Sequence, residues 1–177
     1  MSKITIFGLA GTGKTTAAKM IAEQLNYEFM STGNIFRQMA QEQGLSLNDF
    51  EDLTKGDEKY DRELDQVRVL NYGKENDNFV IESRLAWYFI PDSIKIRLFC
   101  NDEERLKRIS NRENKNIDTV KKETNHREDA IFGRYKKLYD IEDINNPNNF
   151  DYNIDTTYNN AKKVVEMILD FVNKDKN

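Results

Sequence analysis

The chain is poor in the residues that most often perform covalent or metal chemistry. Its 177 residues include one cysteine, Cys100, and one histidine, His126. That excludes an internal disulfide, a cysteine–histidine zinc cluster and a cysteine–histidine catalytic couple. Cys100 closes the apolar run "IKIRLFC", which predicts a buried thiol, whereas His126 falls in a polar helical stretch and is expected at the surface. No stretch approaches the roughly eighteen apolar residues of a membrane span, and the chain begins almost directly with a strand pattern, so a cytoplasmic protein is expected. Positive charge is not in excess either. The 27 Lys and Arg stand against 31 Asp and Glu, for a net charge of −4. Neither nucleic acid nor an anionic membrane is therefore expected as the main partner. There is no internal repeat and no linker, and the length suits one catalytic domain that folds unaided, expected to act as a monomer.

What is present is a phosphate cradle. "GLAGTGKTT" spans residues 8–16 and fits G-x-x-x-x-G-K-[ST], with Gly8, Gly13, Lys14 and Thr15 at the fixed positions. In such a loop the glycines let successive N–H groups turn inward onto phosphate oxygens, the lysine adds a mobile positive charge, and the hydroxyl of Thr15 can ligate Mg²⁺. The intervening Leu9, Ala10, Gly11 and Thr12, and Thr16 just beyond, belong to the same cradle. The flanks agree with the motif. An apolar β-prone run at 3–7 precedes it, and Ala18, Ile21, Ala22 and Leu25 define one helical face after it.

Short β-prone runs recur at 27–30, 78–82, 94–99 and 152–155, separated by helical or polar segments. The alternation predicts an α/β protein, a five-stranded parallel sheet with helices on both faces. Two features exceed a simple crossover: helical segments near 32–43, 47–54 and 57–74, and a helical tract from Glu103 to Tyr139 with a break at "NRENKN". Each is a candidate insert.

Arginines indicate what the cradle serves. Phosphoryl transfer spreads charge over equatorial oxygens, and proteins stabilise it by positioning and fixed positive charge. Arg37 lies early in the first insert, and Arg84 follows the strand "FVIES" at the edge where open α/β sheets bind ligands. Arg105, Arg108 and Arg112 share one helical face, and Arg127 and Arg134 another. For Arg105 and Arg108, ordinary solvated i,i+4 pairing such as Glu104 with Arg108 accounts for the pattern equally well. Glu82 ends its strand where a carboxylate commonly holds Mg²⁺ through water in this architecture; a plain strand-end carboxylate is the other reading. Asp61 and Asp65 share a helical face and are candidates for sugar or base contact, or for surface ion pairs.

With "STGNIFRQMA", "DRELD", "IESRLAW" and "REDAIFGRYKKLYDI" following the loop, nearly the whole chain resembles the short cytidylate kinase family common in archaea. The resemblance implies a P-loop kinase fold with a nucleoside-monophosphate insert at about 32–74 and a lid at about 110–126. It also implies ATP and Mg²⁺ as cofactors and a small-molecule acceptor, CMP or dCMP. Thr32, Arg37 and Arg84 would hold the acceptor, Arg108 and Arg112 would cover ATP, and Arg127 and Arg134 would bridge the two phosphates. The sequence departs from the family pattern at Ser83 and Trp87, where glycines are usual, and at Ile131, where an acid is usual. An isoleucine in contact with the base would accept no hydrogen bond from the amino group of cytosine, so loose discrimination against UMP is expected. A P-loop kinase for another small acceptor, or a nucleotide switch, are the other readings.

Overall fold

In a computed structural model, which describes residues 2–54, 59, 63 and 69–175, five parallel strands form one sheet. These are β1 (Lys3–Phe7), β2 (Glu28–Ser31), β3 (Phe79–Glu82), β4 (Ile94–Phe99) and β5 (Tyr152–Asp155), in the order β2-β3-β1-β4-β5. Strand β1 is central, with Ile6 opposite Glu82 of β3 and Ile96 of β4. The order reverses at β1, so the loop after β1 lies at the crevice where such sheets bind ligands.

Helix α1 (Lys14–Leu25) and the C-terminal α8 (Ala161–Asp175) pack on one face of the sheet, where Ile4, Ile6, Ala18, Ile21, Val165 and Ile168 form a buried core. Phe7, Leu85, Trp87, Ile131 and Phe150 form a second buried cluster beneath α7 (Ile117–Tyr139) and the short α5 (Ala86–Phe89). Strand β3 is buried at every position, as an interior parallel strand with both faces covered must be.

The first insert contributes α2 (Thr32–Glu42), α3 (Leu47–Thr54) and α4 (Asn71–Glu75). Most of the helix expected over 57–74, including Asp61 and Asp65, lies outside the described residues. The second insert is the turn between α6 (Asp102–Glu113) and α7. Asn114, left-handed at φ 51°, ends α6, and the side chain of Asn116 caps α7, so the break falls within "NRENKN". Cys100, expected to be buried, is half-buried, because it lies just beyond the end of β4.

Candidate active site

The phosphate loop is shaped from behind by packing and lined in front by backbone. A β-carbon on Gly8 would stand 2.4 Å from Oγ1 of Thr12 and 2.9 Å from the carbonyl oxygen of Leu98, which leaves room for glycine alone. Thr12 is buried, and its hydroxyl donates to the carbonyl of Leu9 at 2.8 Å. The hydroxyl of Thr156, just past β5, donates to the carbonyl of Thr12 at 3.0 Å. Gly8, Leu9 and Thr12 therefore set the curvature, while Ala10, Gly11, Gly13, Lys14, Thr15 and Thr16 line the cleft. Helix α1 begins with a left-handed Gly13, without a side-chain cap and with no acid in its first turn. Its free N–H groups and positive dipole end are left for an anion.

Glu82 joins this loop to the first insert. Its Oε1 accepts from Thr15 Oγ1 at 3.1 Å and, more tightly, from Ser31 Oγ. Ser31 Oγ also accepts from the N–H of Asn34 at 3.1 Å and so caps α2. Glu82 Oε2 is buried, has no hydrogen-bond partner among the described residues, and lies 3.9 Å from Nζ of Lys14. The Thr15 hydroxyl and the Glu82 carboxylate, whose Oε2 is buried and unsatisfied, form an all-oxygen donor set of the kind hard divalent cations take. The residues present thus fit Mg²⁺, with Thr15 and Glu82 to hold it.

Positive charge is concentrated here beyond what the carboxylate offsets. Burial pushes the ammonium of Lys14 down to about 8; Glu82 opposes this, and Arg84, Arg37 and Arg112 add to it. Arg37 is likewise lowered, chiefly by burial and then by Arg112. Mutual repulsion of this kind is relieved by bound polyanion. The guanidiniums differ in how far they are committed. Arg84 and Arg127 line the cleft, and among the described residues neither guanidinium makes a hydrogen bond or ion pair. Among the described residues the Arg37 guanidinium bonds only Asn34 Oδ1, at 2.7 Å, and Arg112 bonds Glu113 at 2.8 Å on the rim. Arg134 also reaches the cleft, but its Nη1 and Nη2 donate to Glu51 Oε2 at 3.4 and 3.3 Å. Thr32 lines the cleft at the start of α2.

Two expected contacts are placed elsewhere. Arg108 does not line the cleft: its three nitrogens are spent on Glu104 at 2.9 Å, Thr156 O at 2.8 Å, and Thr156 Oγ1 and Thr157 O at longer range. It braces the segment that supports the phosphate loop. Ile131 is not a base contact, because it is fully buried in the apolar cluster with Leu85 and Trp87. Two of the family departures, Trp87 and Ile131, thus belong to the same apolar cluster. Trp87 also donates from Nε1 to the carbonyl of Arg84 at 2.9 Å, fixing the backbone that carries this arginine. The third departure, Ser83, is buried and accepts from the N–H of Leu85 at 3.1 Å.

Arg105, for which a solvated pair is one expectation, is instead buried. Arg105 donates twice to Glu128 of α7, at 2.8 and 2.9 Å, once to Asp102 at 2.7 Å, and weakly to the carbonyl of Ala10, tying the loop to both helices. Ser31 was legible as a strand-end serine before a helix, an ordinary cap signal. Glu128 belongs to the quoted segment "REDAIFGRYKKLYDI" but is given no role there, and Glu51 carries no local signal.

Comparison with known proteins agrees with this geometry. Residues 3–158 match the cytidylate kinase-like family. A cytidylate kinase of Methanosphaera stadtmanae is 38% identical over 170 residues, covering 92% of this chain and 97% of the relative. One from Methanobrevibacter smithii is 37% identical, covering 94% and 95% respectively. In three dimensions the chain is similar to a shikimate kinase of Acinetobacter baumannii solved with shikimate, at a TM-score of 0.61, 18% identity and coverage of 99% of this chain and 95% of that one. At that identity the likeness speaks for the fold alone. With a phosphate loop after the central strand and uncommitted arginines facing it, the chain belongs to the cytidylate kinase-like family and is a phosphotransferase of the P-loop kinase fold.

Proposed function

We propose that the chain transfers the γ-phosphoryl group of ATP to CMP or dCMP, giving CDP or dCDP, with Mg²⁺ held by Thr15 and by Glu82 through water. The observation that carries the reading is a single cleft in which the phosphate loop faces Arg84, from the end of β3, and Arg127, from α7, both uncommitted. Two guanidiniums on different elements are suited to two phosphates brought together from a donor and an acceptor. The names borne by the relatives point to cytidylate as the acceptor.

In this mechanism the loop N–H groups and Lys14 hold the donor's β- and γ-phosphates. Arg37 and Arg84 hold the acceptor phosphate in line, and Arg127 stabilises the charge that develops between them. The acceptor phosphate is already anionic near neutral pH, so no general base is required, in agreement with a chain whose one histidine is exposed on α7. Bound Mg²⁺ supplies charge neutralisation across the phosphate oxygens. The insert and the turn at 114–116 act as lips that exclude water.

The test is ADP release, coupled to an optical readout, with CMP, dCMP, UMP, AMP, GMP and shikimate as acceptors. The reading requires ADP formation that depends on acceptor and is fastest with CMP or dCMP. ADP formation indifferent to acceptor, or fastest with shikimate or a purine nucleotide, overturns it.

A further inference from the structure

The loss of Ile131 as a base contact leaves open which residue reads the base, and the cleft's own carboxylates point to one. Among the described residues, which leave out Asp61 and Asp65, four acids line it: Glu51, Glu82, Glu113 and Glu128. Three are spoken for. Glu82 stands beside Lys14 and Thr15 on the phosphate side. Glu128 gives both oxygens to Arg105. Glu113 pairs with Arg112 through Oε1 and with Lys115 through Oε2. Glu51 differs, because only its Oε2 is engaged, by Arg134, and Oε1 makes no hydrogen bond among the described residues.

The surroundings of Glu51 are those of a base pocket rather than a phosphate pocket. It projects from α3 and is buried. The same insert adds Leu47 and Phe36 to the cleft wall, and the Phe36 ring rests on Phe50 at 4.9 Å between centroids. A flat apolar wall beside a pinned carboxylate suits the face and edge of a planar heterocycle. We propose that Glu51 is the specificity-determining residue of the acceptor site, its free carboxylate oxygen accepting a hydrogen bond from the 4-amino group of cytosine. The proposal rests on the reading of a cytidine nucleotide as acceptor.

The chemistry gives the direction of selection. A carboxylate oxygen accepts and does not donate, so it matches the amino group of cytosine and opposes the 4-carbonyl of uracil, where two oxygens would meet without a proton between them. Arg134 fixes the carboxylate in place, so the cost of ordering it is met before the nucleotide arrives. In this role Arg134 is a positioning residue for Glu51.

The experiment compares kcat/KM for CMP, UMP and the monophosphate of the pyrimidin-2-one ribonucleoside, which has hydrogen at position 4. Wild-type protein and Glu51→Gln are measured at saturating Mg-ATP, with KM for ATP and Tm as controls. Wild type should rank CMP above the pyrimidinone and the pyrimidinone above UMP, since the last adds repulsion to a lost bond. Glu51→Gln, whose amide can also donate, should shrink the CMP to UMP ratio by at least about tenfold, with KM for ATP unchanged. If Glu51→Gln slows CMP and UMP by the same factor, Glu51 is structural and the proposal falls. Should the variant fail to fold, the wild-type ranking decides: UMP equal to or better than the pyrimidinone overturns it. If wild type uses no pyrimidine nucleotide at all, the proposed function fails first, which is a different outcome from CMP use with an unmoved ratio.

Discussion

A β-carbon on Gly11 would stand 2.4 Å from the main-chain oxygen of Arg105, so the phosphate loop and α6 meet backbone to backbone. Gly11 also has φ +83°, in the left-handed region. Gly13 has nearly the same φ, +84°, but nothing within 4 Å of its virtual β-carbon. Gly13→Ala should therefore cost the free protein only the left-handed strain, about 1–2 kcal/mol. Gly11→Ala adds a clash with main chain and should cost roughly 3 kcal/mol or more. Thermal unfolding of the two variants without nucleotide checks the order.

Arg84 and Arg105 should separate activity from stability. Arg84 is uncommitted and repels Lys14, so Arg84→Ala should leave Tm unchanged or slightly raised while KM for the acceptor rises and kcat falls. Arg105→Ala leaves Glu128 buried without its bidentate partner, a loss of about 3–5 kcal/mol, or Tm lower by roughly 10 °C. Equal Tm losses for the two would show that the division between free and committed arginines is wrong.

The pKa of Lys14, lowered from 10.5 to about 8, fixes a pH dependence. Between these values the unfolded chain holds the Lys14 proton and the folded protein does not, so in this window the Lys14 contribution makes folding more favourable as pH rises. Below about 8 both states hold the proton, and the charge costs the folded state a constant amount. Lys14→Met removes the effect. Its stability relative to wild type should drop by about 3 kcal/mol between pH 7 and pH 10.5, as measured by urea unfolding of the nucleotide-free proteins. In turnover, wild-type kcat/KM for ATP should decline above pH 8, and at pH 7 Lys14→Met should lose two to four orders of magnitude in kcat, roughly.

Ser31 serves two partners, the carboxylate of Glu82 and the N–H of Asn34. Ser31→Ala removes a cap and a bond to a buried charge and should cost about 2–3 kcal/mol, read from chemical denaturation. Glu82→Gln should raise the Mg²⁺ concentration for half-maximal activity at least about tenfold, because a neutral amide replaces the carboxylate that attracts the ion. An unchanged Mg²⁺ titration would remove Glu82 from the metal site.

The sequence by itself determined the sheet, the phosphate loop and the places where helices stop. These are local matters. Apolar runs mark buried strands, the spacing Gly8 to Thr15 prescribes a backbone path, and Asn114 and Asn116 carry the conformations that end one helix and start the next. Only the tertiary structure decided which charged and apolar side chains are available to a ligand. Arg84, Arg105, Arg108, Arg127 and Arg134 have the same chemistry and similar helical or strand-end contexts in the sequence. Arg134 is committed to a glutamate 83 positions away and Arg105 to one 23 positions away, while Arg108 bonds main chain 48 positions on. Ile131 shares a helical face with Arg127 and Arg134, yet Leu85 and Trp87 enclose it. Helical periodicity gives a side chain its direction relative to its own axis. What stands at the end of that direction depends on contacts between distant segments, which form only when the sheet and its two inserts assemble.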